Sequence, residues 1–132
     1  DVIIVDSTDP IGPGEVLFTD DFYIDCARCL TECGILVTQS GVTFMQDEEA
    51  RATFQRMKRQ FADPSLYITQ VPTYAAGFMT FGWGCHSLEP RQTPLNEIER
   101  RLAPLDFKTK YYTAAAHVAS FALPGYIEAL KG

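Results

Sequence analysis

Val2 to Val5 form an unbroken run of β-branched residues with no polar position among them. Such a run predicts a strand over residues 1–6 that is buried on both faces, as in a parallel sheet covered by helices. A helical rhythm follows. Phe18, Phe22, Cys26, Cys29 and Cys33 mark the inner stripe of a helix from about Thr19 to Cys33, with Gly34 as its C′ residue. The run Gly34 to Ser40 (GILVTQS) predicts a second buried strand. Ala50, Phe54, Met57 and Phe61 then recur at helical spacing and predict a helix from about Gln46 to Phe61. Asp47, Glu48 and Glu49 at its start and Arg56, Lys58 and Arg59 near its end complement the helix dipole.

The texture changes after Phe61. SLYITQVPTY and GFMTFGWGCHSL predict two long strands, antiparallel to each other, around the YAAG connection. A short helix from Asn96 to Leu102, a strand-like KTKYYT and a last short helix from Pro124 to Leu130 complete the pattern. Parallel strands joined by helices and followed by an antiparallel pair predict an α/β fold, the second half of a doubly wound sheet. In sheets of that kind, ligands bind beyond the carboxyl ends of the strands. Asp6 and Gln39 end the two parallel strands and are therefore the first candidate site residues.

The chain has 132 residues, enough for one compact core, and no apolar run long enough to span a bilayer. It begins with Asp1, immediately before a strand, so the sequence reads as part of a longer protein and part of any site is expected upstream. A net charge of −6, with no clustered Lys and Arg, argues against nucleic acid and fits a cationic ligand through long-range attraction. Cys26, Cys29 and Cys33 lack the second pair that a zinc site draws on. They read as small hydrophobes on a helix face, with reduced thiols and a cytoplasmic setting. His86 and His117 sit in apolar surroundings and read as core histidines, and Trp83 as packing. Ser7 and Ser40 have no histidine at a triad spacing, and Glu15 is placed to cap the helix that follows it.

DVIIVDSTDPIGPGE, VTQSG, VPTYAAG and the terminal FALPGY resemble the polyamine aminopropyltransferases, particularly bacterial spermidine synthases, over essentially the whole chain. The resemblance implies a methyltransferase-like (Rossmann-type) fold, of which residues 1–132 would be the C-terminal part of the catalytic domain. The nucleotide-binding half and an N-terminal β-domain would lie upstream. It implies transfer of an aminopropyl group from decarboxylated S-adenosylmethionine, a co-substrate, to putrescine, with no cofactor and no metal. Spermidine and methylthioadenosine would be the products. Asp6 would be the proton acceptor; Asp6, Ser7, Thr8 and Asp9 would bind the polyamine; Gln39 and Tyr74 would line the diamine channel; and Pro13 would lie against the adenosyl group. Partners implied are these two substrates and a second copy, as a homodimer or homotetramer, with neither nucleic acid nor membrane.

The chemistry asks for such residues. An attacking amine with a pKa near that of lysine, about 10.4, must lose its proton, a cost on the order of 4 kcal/mol at neutral pH. A buried Asp6 is a better base than an exposed one. The distal amine stays charged, which suits Asp9 and the face of Tyr74, while Gln39 accepts a hydrogen bond without adding charge. Pro10, Gly12, Pro13 and Gly14 stiffen the segment into a wall. Two other functions fit part of this pattern. One is a putrescine N-methyltransferase on the same fold; the other is a non-catalytic module for polyamine binding or dimerisation.

Overall fold

A computed structural model describes residues 1–7, 10–74, 77–106 and 108–132. Four strands form one mixed sheet: β1 (Val2–Val5), β2 (Ile35–Val42), β3 (Asp63–Gln70) and β4 (Phe78–Cys85), in the order β1-β2-β4-β3. β1 and β2 are parallel, and β4 pairs antiparallel with both β2 and β3. The helices are α1 (Asp20–Cys29), α2 (Asp47–Gln60), α3 (Leu95–Leu102), α4 (Ala114–Ala119) and α5 (Gly125–Glu128), with 3-10 turns at Gly12–Phe18 and Ala129–Lys131. The expected α/β order, parallel strands and then an antiparallel pair, is the observed one.

Local chemistry sets the element ends. The Thr19 hydroxyl accepts from the Phe22 N–H at 3.3 Å and caps α1, whose first turn carries Asp20 and Asp21. Glu15 instead accepts from the N–H of Gly12, in the preceding turn, so it does not cap α1 as expected. Helix α1 stops at Cys29, and its buried positions are Tyr23 and Cys26, with Leu30 just beyond. The inner stripe is thus rotated from the expected one. Cys26 is buried while Cys29 and Cys33 are exposed, and all four cysteines are free. Gly34 is not a helix C′ residue. A Cβ there would come within 2.5 Å of Asp1 Oδ1 and 2.9 Å of Leu30 Cδ2, so close approach explains the glycine.

Two packed clusters make the core. Tyr23, Cys26, Leu36, Met57 and Phe61 join α1 and α2 to the sheet, and Ala50, Phe54, Leu66, Ile68, Ile127 and Leu130 join α2 to β3 and the C-terminal turns. An ion pair from Arg59 to Asp20 ties the end of α2 to the start of α1. Asp63, 2% exposed, takes two hydrogen bonds from Arg91 Nε at 2.8 and 2.9 Å and one from Trp83 Nε1 at 3.2 Å. That arrangement pins the segment after β4 to the β3–β4 hairpin.

Two further expectations fail, and one element was not predicted. Strand β1 is not buried on both faces: Val2 and Ile4 are 57% and 73% exposed, because β1 is an edge strand whose outer face no described residue covers. KTKYYT is not a strand. Its Tyr111 hydroxyl accepts from Thr69 at 2.6 Å and from the Gln70 N–H at 3.1 Å, so a side chain occupies the place a ladder bond would take. Residues 114–119, which carried no predicted element, form α4, capped by Thr113. Among the described residues no helix is long and apolar enough to cross a membrane.

Candidate active site

Strand β1 runs beside β2 with Val5 paired to Thr38, so Asp6, just past β1, and Gln39, the next residue of β2, lie side by side where the parallel ladder ends, while β2 itself runs on to Val42. The Gln39 amide, oriented to suit its neighbours, donates from Nε2 to Asp6 Oδ1 and to the Ser7 carbonyl, each at 3.0 Å. Both bonds hold Asp6 and Ser7 against β2.

Just beyond, the β2–β4 register shifts between Gln39 and Val42. Gly41 sits there at φ +79°, and a Cβ on it would lie 2.8 Å from Gln46 Oε1. Gln46 Oε1 accepts from the Val42 N–H at 2.9 Å and closes the bend. A bulge of this kind at a sheet rim re-aims the side chains beside it. The cleft there is lined by Ser7, Pro10, Phe18, Gln39, Gly41, Gln46 and Glu49. That cleft is narrow, about 10 Å³, and shares Pro10, Gln46 and Glu49 with an open cleft of about 540 Å³ that Ile11, Met45, Asp47 and Glu48 also line.

The electrostatics of this region are one-signed. Asp47, Glu48 and Glu49 border the open cleft, and Asp6 is bonded to Gln39, which lines the narrow one. The sequence pattern assigned those three carboxylates to the helix dipole alone; their place beside the cleft comes from the turn at Gly41, which no periodicity encodes. Asp6 is exposed rather than buried, as is Pro13 in the 3-10 turn. Tyr74, 46% exposed, lies in the turn after β3, its N–H donating to the Val71 carbonyl at 2.9 Å, and it does not line the cleft. Thr8 and Asp9 lie outside the described residues. His86 is satisfied through its Nε2, 3.1 Å from the Ala27 carbonyl, and packs on Phe61. No group of His, Cys, Asp and Glu suited to a metal ion occurs among the described residues.

The family model "Spermine/spermidine synthase domain" matches residues 1–93. The chain is 53% identical to the polyamine aminopropyltransferase of Ruegeria sp. (strain TM1040) over 130 residues, which are 98% of this chain and 46% of the relative. It is equally 53% identical to polyamine aminopropyltransferase 1 of Pseudomonas aeruginosa over 127 residues, 96% of this chain and 44% of that one. A spermidine synthase solved in complex with the transition-state analogue AdoDATO superposes with a TM-score of 0.87 at 29% identity, covering 99% of this chain and 44% of its own. The spermidine synthase of Thermotoga maritima gives a TM-score of 0.83 at 28% identity, covering 99% and 43%. The chain thus spans less than half the length of the relatives it matches, and it belongs to the spermine/spermidine synthase family.

Proposed function

We propose that these residues form the diamine half of an aminopropyltransferase site, which transfers the aminopropyl group of decarboxylated S-adenosylmethionine to putrescine. The observation that carries this reading is the joined pair Asp6 and Gln39 where the parallel β1–β2 ladder ends, beside an acidic cleft. The cleft attracts a dication from a distance. A carboxylate and an amide oxygen then share the work of holding the attacking amine.

In the reaction the amine nitrogen bonds to the carbon next to the sulfonium, and the carbon–sulfur bond breaks. The electron pair leaves on sulfur, giving methylthioadenosine. The proton shed by the nitrogen goes to Asp6. With Nε2 of Gln39 on the Asp6 carboxylate, its Oε1 is the acceptor left for the amine. Because Asp6 is exposed in this chain, desolvation comes from the bound substrates and from the remainder of the fold. Pro13 and its turn are assigned to the adenosyl side, and Asp9 and Tyr74 to the distal ammonium. Four free cysteines support a cytoplasmic setting, and the family resemblance a homodimer or homotetramer.

Mass spectrometry of the product made by the full-length protein from putrescine and decarboxylated S-adenosylmethionine tests the reaction. Gain of an aminopropyl unit is expected; methylation from intact S-adenosylmethionine, or no product, overturns it. In the same protein Asp6→Asn lowers turnover about 100-fold or more, the usual contribution of a positioned acid–base group. Activity within about threefold of wild type removes Asp6 from the mechanism.

A further inference from the structure

The sheet face turned away from α1 and α2 carries a second cavity. A Cβ on Gly82 or Gly84 would strike Thr53, Met57 or Phe61 on the α2 side, so the alternate residues Phe81 and Trp83 point to the opposite face. There they meet Tyr67, the ladder partner of Phe81, and Phe121 from the segment after α4. The cavity between these rings and α4 holds about 330 Å³, within the size range of small-molecule sites.

Its walls are flat and ordered. Tyr67 and Phe81 stack at 5.1 Å and 14°, Phe121 tilts against Tyr67 at 5.4 Å, and Trp83 meets Phe121 edge-on at 5.4 Å. At the rim the Tyr112 hydroxyl lies 3.1 Å from His117 Nδ1, which leaves the other ring nitrogen without a partner among the described residues. None of the lining residues carries a carboxylate, ammonium or guanidinium group. The nearby Asp63 is taken up by Arg91 and Trp83.

We propose that this cavity binds a small, flat, uncharged aromatic molecule with one hydrogen-bonding edge, at a site separate from the cleft beside Asp6. Aromatic walls favour offset and edge-to-face partners, and the polar rim at His117, with the Tyr67 hydroxyl also in the lining, orients such a partner. The charge state of the lining agrees with the geometry. Burial pushes the Tyr67 phenol up to about 12 and the His117 imidazole down, so both are neutral at neutral pH. A charged ligand would meet the same desolvation with no counter-charge to offset it. The site does not rest on the aminopropyl reading, since it shares no lining residue with the cleft.

The test is ligand-observed NMR on the full-length protein with four probes: indole as a donor, isoquinoline as an acceptor, and benzylammonium and benzoate as charged counterparts. At least one neutral probe should saturate, with both charged ones binding at least about tenfold more weakly, as desolvation of an unpaired charge requires. Ala116→Phe, at a half-buried position of the lining, should fill the space and abolish that binding; if it does not fold, Ser120→Leu serves the same end. Failure of both neutral probes to saturate, equal or tighter binding of a charged probe, or full binding in a folded filled variant would each overturn the proposal.

Discussion

Gln39 reaches two acceptors at once, the Asp6 carboxylate and the Ser7 carbonyl. Its importance lies in what it is not: a second acid. Gln39→Glu would set two carboxylates within hydrogen-bond distance, and one of a pair so placed takes a strongly raised pKa. The acid limb of the pH–rate profile should then move to higher pH by about a unit or more, whereas Gln39→Leu lowers activity without that movement. Superimposable profiles for Gln39→Glu and wild type would show that the amide does not touch the carboxylate during turnover. A second pH effect belongs to the tyrosines. Burial pushes up the phenols of Tyr23 and Tyr67, the latter to about 12. Above about pH 10 the unfolded chain gives up these protons and the folded one keeps them, so the stability they confer is complete below that pH and is lost as pH rises towards 12. Phenolate absorbance should show two of the six tyrosines titrating late, one of them lost in Tyr67→Phe; a single transition for all six near pH 10 would contradict this. That Asp6 and Gln39 would lie near each other followed from the sequence, because each follows the apolar stretch of its parallel strand. The place of Gln46 and Glu49 did not, since they reach the cleft only through the left-handed turn at Gly41.

Elements were legible where one face is buried against a neighbour and illegible where a side chain replaces a backbone partner. β2 and α2 lie within a residue or two of their expected ends, because their apolar positions contact the same core that set their spacing, whereas β3 stops at Gln70 and β4 at Cys85, four and three residues short of the ends expected at Tyr74 and Leu88. KTKYYT has the residues of a strand, but its Tyr111 hydroxyl bonds to Thr69 and Gln70 and takes the ladder's place. The stripe of α1 was misjudged because cysteine and phenylalanine were weighed without Tyr23, the residue that is 1% exposed. The glycines of β4 carry a stronger constraint than their composition suggests. A Cβ on Gly84 would lie 2.5 Å from the Phe61 ring, and that ring is packed in the α1–α2 core. Gly84→Ala should therefore cost about 1–3 kcal/mol through overpacking, despite the lower chain entropy alanine brings to the unfolded state. Equilibrium denaturation with an unchanged slope and a lowered midpoint is the expected result; a midpoint at or above that of wild type would mean that Phe61 moves freely.

The two edges of the whole sheet differ in kind. At β3 the Ile68 N–H donates to the Ser120 carbonyl at 2.9 Å, so the chain's own C-terminal segment covers part of that edge. At β1 the outer edge has no partner among the described residues, and Val2 and Ile4 present apolar side chains beside it. Unpaired edges with apolar neighbours recruit other strands. The polypeptide of residues 1–132, prepared alone, is therefore expected to self-associate through β1 and to transfer no aminopropyl group, having less than half the length of its relatives. Ile4→Lys, at a position 73% exposed, should shift it towards the monomer with little change in folded content, because a charge at an edge blocks pairing without entering the core. Light scattering after size exclusion measures both variants. A wild-type monomer at about 100 μM, well above the low micromolar range in which exposed edges begin to aggregate, would show that β1 is protected. Aminopropyl transfer by that monomer would place the whole site within these residues and end the division into a diamine half and a nucleotide half.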